Sequence, residues 1–142
     1  MRLLDTCFLI DLQREWIRRK PGPATEYLSN WREEEFAISV VSALEFLEGY
    51  GELSDGESFL SPFRQIELTS RACRIGSRIR RALRQRGELI GDFDILIAAT
   101  AMNEDAPLAA CRTYPARLRK SGIRPEFPLG FVICVHTNSS NS

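Results

Sequence analysis

Four carboxylates stand where chemistry could begin. The stretch "LLDTCFLIDL" sets Asp5 in the middle of an apolar run. An unpaired carboxylate buried among aliphatic side chains is expensive, so Asp5 calls for partners elsewhere in the chain. The candidates are Glu45 in "VVSALEFLEGY" and the pair Asp92 and Asp94 in "GDFDILIAATA". Each lies in a strand-to-helix region, and such regions meet at one edge of an open parallel sheet, where ligands bind. Clustered carboxylates repel one another, and the natural compensation is a hard divalent cation such as Mg²⁺, which takes oxygen ligands. A site of that kind generates a water nucleophile and stabilises charge developing on a phosphodiester. Every one of these acids also has a plainer reading. Asp5 suits a helix N-cap, and Asp92 or Asp94 suits a cap or first-turn acid. Glu45, Glu48 and Glu52 follow 3,4 spacing and suit a solvated stripe.

Other chemistries lack residues. His136 is the single histidine, close to a polar tail, which argues against Ser-His-Asp and Cys-His sites. Cys7, Cys73, Cys111 and Cys134 are far apart and form no CxxC pair, so a zinc site lacks ligands at usable spacing. The same cysteine usage suggests a reduced, cytoplasmic protein. No signal peptide is evident, and no apolar run reaches membrane-spanning length, so no membrane partner is expected. Net charge is zero, which argues against a strongly basic nucleic-acid binder, although the distribution matters more than the sum. An aspartyl phosphatase would want a DxD after the first strand, and here Asp5 is followed by Thr6 and Cys7.

The elements that must position the acids follow from periodicity and punctuation. A buried strand is predicted at residues 2–4, then a helix over about 7–18, broken by "RRKPGPAT". A short helix over 25–32 precedes a strand in "FAIS". Ser39 is a possible N-cap for a helix from Val40 to about Glu52. "LSDGES" reads as a turn, and a short strand is predicted around 65–68. Thr69 or Ser70 caps a long helix that ends at Gly87. Asp92 starts a helix with Ile95, Leu96, Ala98, Ala99 and Met102 as its apolar residues, and "APLAA" is a short buried strand. Strands alternating with helices imply an α/β fold with a mainly parallel sheet. One domain over 1–135 and a polar tail, 136–142, are expected. Phe8, Leu12, Trp16, Ile17, Tyr27, Leu28 and Trp31 on the first helices are either core or the lining of a partner groove.

The basic counterpart is "RACRIGSRIRRALRQRG", with seven arginines from Arg71 to Arg86. Arg71, Arg74, Arg78 and Arg81 share one face, with Arg80 and Arg84 to one side. The face is either solvated or a surface for phosphates or an acidic partner. No aromatic residues interleave with it to stack bases.

"LLDTCFLIDL", "ISVVSALEFLEGY" and "GELIGDFDILIAATAMNEDAPLA" together resemble the three main blocks of PIN-domain ribonucleases, most of all the VapC-type toxins of bacterial toxin–antitoxin pairs. The resemblance covers residues 2 to about 110. It implies a Rossmann-like three-layer α/β/α sandwich and Mg²⁺- or Mn²⁺-dependent cleavage of RNA. It also implies a cognate antitoxin partner and a homodimer. Asp5, Glu45 and Asp94 match the family's acidic metal-site positions. Asp92 is a supporting acid, and Thr6 falls where the family often has a site-lining hydroxyl. Cys7 falls where Asn or Ser is more usual. After "APLA" the chain departs from the family, and Arg112 takes the position of the fourth polar or acidic residue. A guanidinium there could neutralise the pocket instead of binding metal. This opens an alternative, a catalytically weak PIN-like module that binds an antitoxin and dimerises. Two readings of the tail follow. "ARLRK" is codon-compatible with the family-like "DFE" read one nucleotide later, as a frameshifted tail would be. "PLGFVICV" is apolar enough to supply a last strand.

Overall fold

Leu3 and Leu4 are consecutive and both fully buried, so their strand must be covered on both faces. The computed structural model describes residues 1–88, 90–110 and 132–134. Its strands are β1 (Arg2–Leu4), β2 (Phe36–Ser39), β3 (Arg64–Ile66), β4 (Leu108–Ala110) and β5 (Val132–Cys134). They form one parallel sheet in the order β3-β2-β1-β4-β5. Leu3 joins a core shared with Ile97, Ala98 and Ala101 of α6 (Asp92–Asn103). Leu4 joins the opposite core, with Phe8 of α1 (Thr6–Ile17), Tyr27 of α2 (Pro23–Asn30), Phe46 of α3 (Val40–Glu48) and Leu60 of α4 (Leu53–Leu60). Helix α5 (Ser70–Gln85) packs outside α6 through Ile79 and Leu83 against Ile95 and Ala99. This is the expected three-layer α/β/α arrangement. No helix among the described residues is long and apolar enough to cross a membrane.

The order of strands fixes where a site belongs. From β1 the chain steps to β2 and β3 on one side, then returns to β4 on the other side. The reversal lies between β1 and β4, and ligands of open parallel sheets bind at the carboxyl ends of strands at such a point. Asp5, one residue past β1, donates its backbone N–H to Ala109 O at 2.9 Å and so sits on this seam.

Local signals were mostly sound. Ser39 Oγ accepts from Ser42 N, and Thr69 Oγ1 accepts from Ala72 N, as N-caps of α3 and α5. Gly87 takes a left-handed φ of 66° past the end of α5. Strand β5 falls inside "PLGFVICV". Three expectations need correction. Segment "LSDGES" is the start of α4, not a turn. Its Gly56 lies so close to α3 that a Cβ would stand 2.6 Å from Leu47 Cδ2, so tertiary packing selects the helix. Helix α3 ends at Glu48 with Gly49 as its C-cap, short of Glu52. Neither Asp92 nor Asp94 caps α6, because Gly91 is the N-cap.

Two charged groups tie the N-terminal half together. Arg2 is 7% exposed, pairs with Glu34 at 3.0 Å, donates to Tyr27 Oη at 3.2 Å and lies 3.4 Å from the Trp31 ring centroid. Glu15 replaces a missing side-chain cap on α2. Its Oε2 accepts from Gly22 N, Thr25 N and Thr25 Oγ1, and its Oε1 from Ala24 N, at 2.6–3.0 Å. Burial works to raise the Glu15 pKa, but these hydrogen bonds outweigh it and hold the carboxyl below its ordinary value. Glu15→Gln should therefore cost about 2 kcal/mol in urea unfolding at neutral pH. A folded-state pKa below the unfolded one stabilises above the unfolded value and is lost as pH falls through the folded one. The gap between the two proteins should then close as pH drops below 4.5. An unchanged gap in acid would exclude the carboxylate charge as its source.

Candidate functional site

The site is built from helix beginnings. A strand leaves the sheet at its carboxyl end and the next residues turn into a helix, so the first turns of α1, α3 and α6 gather there. Cys7 in α1, Val40 in α3 and Leu96 in α6 all pack on the same core cluster. The positive ends of helices favour negative charge, which offsets part of the cost of acids placed among them.

Asp5 is the N-cap of α1 and is 2% exposed. Its Oδ1 accepts from Thr6 N at 2.8 Å, and Cys7 Sγ donates to its Oδ2 at 3.1 Å. The plainer reading of this residue holds, since it caps a helix, and its carboxylate also stands at the seam. Thr6, itself buried, donates its hydroxyl to Glu45 Oε1 at 2.7 Å. Glu45 is half-buried, whereas Glu48 and Leu44 on the same helix are exposed. The solvated-stripe reading therefore fits Glu48 and fails for Glu45. Thr6 links the two acids through its backbone N–H on one side and its hydroxyl on the other.

Asp94 is half-buried in the first turn of α6. Its Oδ2 lies 3.3 Å from where a Cβ on Gly91 would be, so the glycine leaves room for the carboxylate. Asp92 is more exposed and turns outward, where its Oδ1 meets Arg80 Nε of α5 at 3.4 Å. The structure thus joins Asp5, Thr6 and Glu45 directly and sets Asp92 toward α5. Arg112 and the segment compatible with a frameshift lie outside the described residues, as does the polar tail.

No group of three or more His, Cys, Asp or Glu side chains stands ready to hold a metal ion among the described residues. In kind, however, the donors fit a hard cation. Asp5, Thr6, Glu45 and Asp94 offer only oxygen, and an acid as buried as Asp5 gains from a positive partner.

The groove reading of the first helices divides. Phe8 and Tyr27 are core, and Trp31 stacks with Arg2. Leu12, Trp16, Ile17 and Leu28 instead line an open groove of about 980 Å³, completed by Phe59 and Phe63. Trp16 and Ile17 are 70% and 67% exposed. Phe59 and Phe63 follow from α4 and its end, so a sequence reading without α4 could not include them. Their signal was the apolar spacing of Phe59, Leu60 and Phe63 after "LSDGES".

Comparison with known proteins adds the following. The PIN domain family model matches residues 2–113. Ribonuclease VapC19 of Mycobacterium tuberculosis is 36% identical over 113 residues, which is 76% of this chain and 86% of that protein. Ribonuclease VapC1 of Methanocaldococcus jannaschii is 31% identical over 130 residues, 86% of this chain and 84% of that one. Among solved structures, VapBC2 from Rickettsia felis bound to a promoter DNA fragment superposes with a TM-score of 0.71. It is 21% identical and covers 94% of this chain and 97% of its own, a likeness of fold.

Proposed function

The chain belongs to the PIN-domain family, and on that premise we propose that it is the toxin ribonuclease of a toxin–antitoxin pair, cutting RNA internally with Mg²⁺ or Mn²⁺. The observation that carries this reading is the link Asp5–Thr6–Glu45 at the β1/β4 seam. Asp5, Glu45 and Asp94 would hold the cation, with Asp92 in support. A bound cation of this type supplies an activated water and offsets charge building on the scissile phosphate.

The rest of the work falls to the chain. The Thr6 hydroxyl fixes one Glu45 oxygen, so that side chain keeps one orientation without an ion. The Thr6 N–H and the Cys7 thiol hold both Asp5 oxygens. Such preorganisation lowers the cost of assembling the site around substrate. The relatives that carry this reading are themselves named ribonucleases. VapBC assemblies share the fold, and the groove beside α1 is the surface we assign to the antitoxin. The antitoxin would present an apolar segment to Trp16 and Ile17.

The test is direct. The purified chain should cut RNA at internal bonds with Mg²⁺ or Mn²⁺ and stop when the metal is chelated. Cleavage that persists under chelation would reject metal dependence. Absence of cleavage with either ion, alongside retained antitoxin binding, would leave the alternative of a binding module.

A further inference from the structure

One surface is not used by the site or by the groove. Helix α5 carries Arg71, Arg74, Arg78, Arg80, Arg81 and Arg84, all exposed, and no acidic residue. At about 100° per residue they fill the half of the helix opposite Ala72, Ile79 and Leu83, which are buried toward α6. Outside the run Arg71–Arg86, the chain has twelve basic residues against nineteen acidic ones, so positive charge is concentrated here. A face that serves only solubility usually mixes signs, with acids placed to pair at i,i+4. This one sets like charges three and four residues apart, which weakens the helix by a few tenths of a kcal/mol per pair. Arginine is also the side chain best suited to grip phosphate through two parallel bonds.

The direction of the row is informative. Helices α5 and α6 are joined by a short connection and pack side by side, so the end of α5 lies beside the start of α6. Arg80 touches Asp92 there at 3.4 Å. Both side chains are about half exposed or more, so the pair adds little stability. It does fix where the basic row meets the acidic site. Among the described residues Arg80 is the one α5 arginine in an ion pair, leaving the others available. The four that share one face, Arg71, Arg74, Arg78 and Arg81, run about 15 Å along the helix. A row of that length can meet several successive phosphates of one strand, and binders of single strands add aromatic platforms, which this face lacks.

We propose that the arginine face of α5 holds the phosphate backbone of a duplex arm of the RNA, next to the bond delivered to the acidic site. The inference rests on the nuclease reading above, but its test does not. Binding is measured on Asp5→Asn protein, so the RNA stays intact, using a fluorescently labelled RNA hairpin across a range of salt concentrations. Arg71→Gln/Arg74→Gln/Arg78→Gln should bind the hairpin roughly tenfold or more weakly and lower the salt slope by about 2–3. Lysines at the same positions should restore the slope. With Asp5 retained, the glutamine variant should still cut a single-stranded oligonucleotide too short to reach α5. Circular dichroism should show an unchanged fold, since the positions are exposed. An unchanged hairpin slope overturns the proposal, as does a loss confined to antitoxin binding, which would make α5 a docking face for an acidic protein. Failure of the parent protein to cut either RNA would overturn the nuclease reading while leaving the slope measurement interpretable.

Discussion

Asp5→Asn should abolish RNA cleavage, by at least about a thousandfold, while the protein stays folded. A thousandfold is about 4 kcal/mol in the barrier, within what loss of a charge at a metal-assisted phosphodiester site can remove. The choice of asparagine separates the two roles of this residue. Asn and Asp are about equally good N-caps, so the bond from Thr6 N and the start of α1 survive. What is lost is the charge, together with the oxygen that accepts from Cys7 Sγ. Asp5→Ala would remove the cap as well, at about 1 kcal/mol, and blur the result. Because Asp5 is 2% exposed, its charge carries a desolvation cost that the asparagine escapes. That gain and the lost bond from Cys7 Sγ oppose each other, so the variant should melt near the wild-type temperature. Full activity in Asp5→Asn would remove Asp5 from the reaction and reduce it to a cap. Asp94→Asn should show a similar loss. Asp92→Asn should show a smaller one, since that side chain faces Arg80.

Which parts of this were readable beforehand depends on where the information lies. The sheet edge was legible because each strand-to-helix step carries its own local signal, and Ser39, Thr69 and Gly87 behave as their types suggest. Asp5 could be found because an acid inside an apolar run is anomalous by itself. Glu45 could not be separated from Glu48 by spacing. What distinguishes it is the Thr6 hydroxyl, thirty-nine residues away in sequence. Helix α4 was hidden because Ser, Asp and Gly imitate a turn, and the packing of Gly56 on Leu47 and Tyr50 is invisible in any local window. Ile97 and Ala101 were not singled out with the other apolar residues of α6. That helix is wedged between the sheet and α5, so it is apolar all round and shows no one-sided stripe. The arginine row was plain in the sequence, yet its attachment to Asp92 needed the packing of α5 on α6.

The second large effect concerns the partner. Trp16→Glu combined with Ile17→Asp should weaken antitoxin binding by at least about thirtyfold and leave the cleavage rate of the free toxin unchanged. The two side chains stand on the last turn of α1, 70% and 67% exposed, beside a groove closed on its far side by Phe59 and Phe63. Large apolar side chains left this open are uncommon on a face with no partner. Trp16 meets Phe59 at 5.9 Å between ring centroids, so an aromatic bridge from α1 to α4 forms the floor on which an apolar segment can sit. Tryptophan at the centre of such a surface is the residue type most often worth 2 kcal/mol or more to binding, and a buried carboxylate in its place adds a desolvation cost. Folding should survive, because neither side chain belongs to the cores around Leu3 or Leu4. Activity should survive because α1 runs about 15 Å between Asp5 at its start and Trp16 near its end. The measurement is titration of the antitoxin into the free toxin, with RNA cleavage followed in parallel. If the variant loses cleavage along with binding, the groove and the site are one functional unit. If binding is unchanged, the antitoxin sits elsewhere, and the exposed tryptophan needs another occupant.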